Sequence, residues 1–388
     1  MAKVESKDRI HLRTNWAEVS LSTLRNNFRT IVQRVAPAMV CAVIKCNAYG
    51  HGVVECGRAL EADGAKWFGV TDTKEGASIR EAGINGRILL MTGFWRGEEE
   101  AVISSSLTPA VWTLDHIERL ERALQAWRAT EKLPVHLKVD TGMGRVGVPA
   151  ADVEPLARRI AGSEYLELEG VFSHLASSEV LDADDATAQI VCFNHVLATL
   201  RAAGLEPPLR LLSNSAAIGG RPDTWNTMVR PGLALYGYLP PFSAPAGMKL
   251  PAPLAVEPVL TWKARIVSQR EMPAGQAIGY NGTYVTKAPS RIAVIAAGYG
   301  DGFNRALSNK GRVIVRDYYA PVVGRISMDL TTIDVTGVPG AKLGDEVLLI
   351  GKSEHCSVTA EDHANLVGTI PYEITCGINW RVPRIYLD

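Results

Sequence analysis

The sequence is short of several things, and each shortage narrows what the protein does. No stretch approaches the roughly 20 consecutive apolar residues needed to cross a bilayer, so no membrane partner is expected. Net charge is missing: 41 Lys and Arg balance 41 Asp and Glu. No basic stripe interleaved with aromatics stands out, so nucleic acid is not an expected partner. Paired cysteines are missing too. Cys41, Cys46, Cys56, Cys192, Cys356 and Cys376 form no C-x-x-C and match no zinc spacing. No metal is expected, and reduced thiols in a cytoplasmic protein are. The opening "MAKVESKDRIHLRTNW" lacks the apolar run of a secretory leader, which again points to the cytoplasm. Internal repeats and low-complexity segments are absent.

What is present is a long chain with ample apolar residues. Its 388 residues, 47% hydrophobic, exceed one ordinary core and suggest two domains. The first two-thirds alternate between strand-like and helix-like stretches. "MVCAVIK" (39–45), "WFGVT" (67–71), "RILLM" (87–91), "PAVW" (109–112), "VHLKV" (135–139), "LEGVFSH" (168–174), "LRLLSN" (209–214) and "NTMVR" (226–230) read as buried strands. Before or between them, 21–35, 115–129 and 186–204 carry apolar residues at helical spacing. Eight strands separated mostly by helices predict an α/β fold, an N-terminal (β/α)8 barrel over 12–245. A Pro- and Ala-rich linker, "YLPPFSAPAGMKLPAPLAVEP" (238–258), follows. Beyond it helical periodicity nearly vanishes. Residues 246–388 are expected to form a mostly antiparallel β-domain, with one helix near "TAEDHANLVG" and the first eleven or so residues packing with it.

The segment "AVIKCNAYGHG" (42–52) raises the central question. A strand-like run ends on Lys45 and turns at once through a polar, glycine-rich corner. In a barrel the C-terminal strand ends face the active-site mouth. A lysine there is a candidate Schiff-base nucleophile; the residue alone leaves a snorkelling lysine open. The neighbours decide it. A lysine, one variable residue and then N-A-Y-G-H-G resembles the cofactor-lysine signature of the alanine racemase family. These are pyridoxal 5'-phosphate (PLP) enzymes built from a barrel and a β-domain. The resemblance runs from "NWAEVSLSTLRNN" to "WRVPRIY".

That resemblance implies a role for each further motif. "HLKVDTGMGRVG" (136–147) gathers Lys138, Asp140 and Arg145 around a glycine-rich turn. Arg145 is then a contact to the substrate carboxylate and the cofactor's phenolic oxygen. Lys138 stands where relatives often carry a carbamylated lysine that orients the arginine. "VFSHLASSE" (171–179) places His174 near the PLP ring. "LSNSAA" (212–217) and "MVRPGLALYG" (228–237) follow the seventh and eighth strands. Barrel loops there often bind phosphate through backbone N–H groups, which assigns Asn214, Ser215, Gly232 and Leu233 to the cofactor. Arg230 corresponds to the family's partner for the pyridine nitrogen, and Tyr49 and Tyr372 complete the cofactor set. In the β-domain, Tyr280 of "AIGYNGTY" (277–284) matches the catalytic tyrosine. Met328 of "VGRISMDLTTIDV" (323–335) faces the substrate, and Tyr299, Arg305, Arg325 and Asp329 support the site or its entrance. Ser327 departs from those relatives that carry cysteine there.

The implied activity is interconversion of L- and D-alanine by two bases, Lys45 and Tyr280, acting on opposite faces of the substrate. A head-to-tail homodimer with shared sites is implied with it. A broad-specificity or serine-preferring racemase is the nearest alternative. A barrel-type PLP decarboxylase would carry an acidic residue in place of Arg230. A non-catalytic PLP-binding protein would be a lone barrel. The sequence leaves open whether the D-alanine serves peptidoglycan or the reaction serves alanine catabolism.

Overall fold

A computed structural model describes residues 14–248 and 250–388. The chain divides into two units. One comprises 23–48 and 53–257; the other takes 49–52, everything from 258 onward, and 14–22 of the described N-terminus. The expected packing of the first eleven residues lies outside the described residues.

The first unit is the barrel. Its strands are β2 (Met39–Val43), β3 (Trp67–Val70), β4 (Arg87–Leu90), β5 (Leu107–Val111), β6 (Leu133–Asp140), β7 (Leu166–Phe172), β8 (Leu209–Leu211) and β9 (Met228–Val229), with β1 (Asn15–Ser20) preceding them elsewhere. They run parallel in the order β9-β2-β3-β4-β5-β6-β7-β8. The seam between β8 and β9 is nearly closed, Thr227 N donating to Arg210 O at 3.2 Å and Arg230 N to Ser213 O at 2.9 Å. Every residue of β3 and β5 is buried, as expected of strands covered on both faces.

Helices α1 (Leu21–Val35), α2 (Val53–Ala62), α3 (Thr73–Glu81), α4 (Glu99–Ser104), α5 (Leu114–Trp127), α6 (Val153–Ala161) and α7 (Asp184–Ala202) surround the strands, and the short α8 (Ser215–Gly220) follows β8. The buried side of α1 is Leu24, Asn27, Phe28, Ile31 and Val35, one helical stripe. Its polar member is fully used. Asn27 donates to Leu235 O and Glu257 O and accepts from Glu257 N, which fastens the end of the linker to the helix. Inside the barrel, the His136 ring lies between Trp67 and Phe172, at 5.6 and 6.3 Å. Gly170 makes room for it, since a Cβ there would sit 2.6 Å from the imidazole.

The second unit is a largely antiparallel sheet. Its strands are β10 (Leu260–Met272), β11 (Ser290–Ile295), β12 (Arg312–Val315), β13 (Tyr318–Pro321), β14 (Thr331–Asp334), β15 (Glu346–Lys352) and β16 (Arg384–Leu387). The order is β13-β12-β15-β10-β1-β16, with β11 joining β10 and β14. Helices α9 (Ala360–Val367) and α10 (Pro371–Cys376) precede the last strand.

Two boundaries differ from the sequence-based expectation. Residues 15–20 pair with β10 antiparallel and β16 parallel, so this strand belongs to the sheet and not to the barrel beginning at 12. The changeover falls at 257/258, because Asn27 holds Glu257 on the barrel side. No helix among the described residues is long and apolar enough to cross a membrane.

Candidate active site

Lys45 lies two residues beyond β2, after Ile44, and is partly exposed. The next four residues explain the odd corner. Cys46, Asn47, Ala48 and Tyr49 all adopt left-handed helical dihedrals, with φ of 53, 53, 54 and 53°. An L-residue pays roughly 1–2 kcal/mol to enter this region, so surrounding contacts must hold the turn. Ala48 N donates to Ile44 O at 2.9 Å. Cys46 N and Asn47 N both donate to Glu75 Oε1, at 2.5 and 3.3 Å. Asn47 Oδ1 accepts from Val53 N at 2.8 Å.

The glycines that follow belong to the second unit and are required by close approach. A Cβ at Gly50 would lie 2.1 Å from Thr375 O, and one at Gly52 would lie 1.9 Å from the Tyr386 hydroxyl. Gly50 O accepts from Arg384 Nε at 2.9 Å. The Tyr49 ring packs 5.7 Å from that of Tyr372. The motif thus carries the chain from a lysine beyond a strand end into the glycines of the second unit within one stretch.

Lys138 is buried on β6. Its Nζ donates to Met91 O at 3.1 Å and lies 4.9 Å from the Phe172 ring centre. Burial, then Arg230, Arg145 and Lys45, push it down to about 7. Asp140 closes the following turn, accepting from the N–H groups of Gly142, Met143 and Gly144. Burial raises its carboxyl, but these backbone donors outweigh it and hold it below the ordinary range. The turn passes close enough to Asp140 that a Cβ at Gly147 would sit 2.4 Å from its backbone nitrogen. Arg145 emerges from this turn exposed.

His174 follows β7. Burial, then Arg230, Arg145, Lys138 and Lys45, depress it to about 3, so it is neutral at physiological pH. Arg230 is 4% exposed. Its Nη2 donates to Ser173 O at 2.6 Å and Leu212 O at 3.3 Å, while its Nη1 is buried with no hydrogen-bond partner. Burial pulls this guanidinium down to about 10, which leaves it charged. Beside it, Ser215 Oγ accepts from Gly232 N and Ala234 N at 2.9 and 3.2 Å. Asn214 Oδ1 caps α8 through Ala217 N and accepts from Ser178 Oγ. Leu233 is buried.

The barrel therefore brings Lys45, Lys138, Arg145, His174 and Arg230 into mutual electrostatic reach, with Asp140 their one acidic neighbour in this set. Such a cluster of basic groups suits an anionic group.

The β-unit gathers its own candidates. Tyr280 stands on a turn between Gly279 (φ 72°) and Asn281 (φ 62°) and is 68% exposed. The turn lies against 324–325, since a Cβ at Gly279 would be 3.2 Å from Arg325 N. Tyr299 N and Gly300 N donate to Ser327 O and Met328 O at 3.0 and 2.8 Å, which sets Tyr299 beside the exposed Met328. Arg305 is exposed nearby; Ser308 N donates to Arg305 O, and Ser308 Oγ accepts from Ile326 N. Arg381 bridges Asp301 and Asp329, both at 2.7 Å.

Two of these residues escaped sequence reasoning. Glu75 reads only as an acidic residue in a helix first turn, and nothing local ties it to a turn some thirty residues earlier. Arg381 lies inside the recognised "WRVPR" stretch, yet its two carboxylate partners are set by the sheet. A third group, Asp317, Glu354 and His355, brings its ligand atoms within 4.8 Å of one another on the surface. Asp317 there already accepts from Ser353, His355 N and the His355 ring.

Comparison with known proteins covers both units. The family model for the N-terminal domain of alanine racemase matches residues 19–240, and that for the C-terminal domain matches 259–386. An alanine racemase of Syntrophobacter fumaroxidans is 41% identical over 365 residues, covering 94% of this chain and 95% of its own. The alanine racemase structure from Streptomyces coelicolor superposes with a TM-score of 0.91 at 33% identity, over 98% of this chain and 100% of that one. The enzyme from Bartonella henselae, with covalently bound pyridoxal phosphate, gives 0.83 at 33% identity over 96% and 99%. With both domains matched in order and nearly end to end, this chain belongs to the alanine racemase family of isomerases.

Proposed function

We propose that this chain interconverts L- and D-alanine with PLP linked to Lys45, in the cytoplasm, as a homodimer whose sites are shared. The observation that carries the reading is Arg230. It is buried, charged, and has one unpartnered nitrogen in a cluster of basic groups. A phosphorylated, phenolic cofactor supplies the anion such a cluster lacks. An arginine only donates hydrogen bonds, so a pyridine nitrogen held by Arg230 would stay unprotonated. That weakens electron withdrawal and favours brief proton exchange over decarboxylation or transamination.

When bound, PLP supplies the electron sink that makes the substrate Cα–H acidic. The chain does the rest. Arg145 holds the substrate carboxylate. Ser215 and the N–H group of Leu233 would receive the phosphate, joined by Gly232 N–H once released from Ser215 Oγ, and Tyr49 and Tyr372 would confine the cofactor. His174, neutral, packs at the ring without adding charge. Lys45 Nζ and Tyr280 Oη exchange protons with Cα from opposite faces, one removing and the other returning. Tyr280 is supplied by the partner subunit, with Met328, Tyr299, Arg305, Arg325 and Asp329 around it. The product D-alanine feeds peptidoglycan, or the reaction opens alanine to catabolism.

The test is a racemisation assay across L- and D-amino acids on protein whose visible spectrum has been recorded. The expected result is a yellow protein most active on alanine, with borohydride fixing the cofactor to Lys45. Fixation on another lysine, or faster turnover of serine than alanine, would overturn the corresponding part of the reading.

A further inference from the structure

We infer that Glu75 is a positioning residue for Lys45: its carboxylate holds the left-handed turn that aims the lysine. This rests on the reading that Lys45 carries the cofactor. Four consecutive non-glycine residues after Lys45 lie in a region each disfavours, and the turn cannot satisfy its own leading donors. Ala48 N finds Ile44 O within the segment. Cys46 N and Asn47 N find no backbone carbonyl, and a single oxygen, Glu75 Oε1, accepts both. Bonds to an ionised acceptor are the stronger kind.

Glu75 is itself held from three directions. Asp72, the N-cap of α3, accepts from Lys74 N and Glu75 N at 2.7 and 3.3 Å. Glu75 Oε2 receives Thr71 N at the 3.5 Å limit of a hydrogen bond. The next residue, Gly76, seats α3 against Leu107, whose Cδ2 would lie 2.8 Å from a Cβ there. The carboxylate is thus a brace between the start of α3 and the end of β2. Its distance in sequence, 29 residues from Cys46, means that no local propensity supplies this support.

Losing the acceptor frees two N–H groups and lets the turn revert toward ordinary dihedrals. Lys45 would then swing away from its productive direction, though the barrel strands stay packed. The test uses holoenzyme and reads the rate at which hydroxylamine strips the cofactor, followed by its visible band, beside the thermal midpoint. Glu75→Ala is expected to lose the cofactor about tenfold faster or more. Glu75→Gln keeps a carbonyl oxygen for the two donors and is expected to recover most of the wild-type lifetime. If the alanine variant does not fold, Glu75→Met keeps the stem and lacks the acceptor. Equal lifetimes in wild type and Glu75→Ala or Glu75→Met would overturn the inference. So would a glutamine variant as fast as alanine, since acceptance would then not be what matters. Failure of wild type to trap its cofactor on Lys45 would instead overturn the functional reading, and the two failures are separable.

Discussion

On the proposed reading Arg230 has two roles, one toward the barrel backbone and one toward the cofactor. Its Nη2 occupies the carbonyls of Ser173 and Leu212, and its Nη1 remains for a ligand. Arg230→Glu should slow alanine racemisation and raise transamination, because an acidic partner protonates the pyridine nitrogen and prolongs negative charge at Cα. It should also lower the thermal midpoint, since two buried carbonyls lose their donor. Measuring both rates on folded protein checks this; wild-type racemisation without added transamination would refute the electronic role. Histidines give a second residue-scale expectation. His363 is 2% exposed and stacks edge-on to Phe303 at 5.6 Å; burial depresses it to about 4. His136 is depressed by burial too. Each is protonated more readily unfolded, so its contribution is complete above pH 6.5. For His363 it is lost as pH falls from 6.5 toward 4, at up to about 1.4 kcal/mol per unit. Urea midpoints at pH 7.5 and 5 should show the fall, and His363→Phe should flatten it.

At the level of elements, the most informative one is the corner after β2. Its lysine, glycines and aromatic were visible in the sequence, but its hand was not. Cys46, Asn47 and Ala48 have no individual reason to be left-handed; Glu75 Oε1, accepting from Cys46 N and Asn47 N, holds the turn. Gly50→Ala tests the close approach just beyond the turn. A Cβ there meets Thr375 O at 2.1 Å, at a φ of 85°. The substitution should cost about 2 kcal/mol or more, read from the urea midpoint. The barrel strands were legible because parallel strands buried on both faces read as continuous apolar runs. The N-terminal strand was not, because "NWAEVS" pairs with residues more than 240 positions away, and no periodicity reports its partner. The candidate residues of the barrel were named from their strand-end motifs, and the fold brings Lys45, Lys138, Arg145, His174 and Arg230 into electrostatic reach of one another. Glu75 and Arg381 were missed because each acts through a tertiary contact.

At the scale of the whole molecule, the question is which chain supplies each base. Tyr280 is 68% exposed on a turn fixed at both sides by positive-φ residues, a posture suited to working on something outside its own unit. If Tyr280 serves the partner's Lys45, then Lys45→Ala and Tyr280→Phe are each inactive alone but complementary when mixed. A head-to-tail dimer of one each carries one site with both defects and one with neither. Mixing equal amounts should restore about half of wild-type activity per heterodimer, hence about a quarter per dimer in the mixture, if subunits exchange freely and sites are independent. Tyr280→Phe alone keeps the ring and should keep the fold. It should lose exchange of the Cα hydrogen of L-alanine more severely than that of D-alanine, because Lys45 serves the other face. Heterodimers verified by tagged subunits yet showing no recovery would mean that both bases come from one chain. The isotope exchange would still assign a face to each base, so the two measurements separate which residue acts from which subunit provides it.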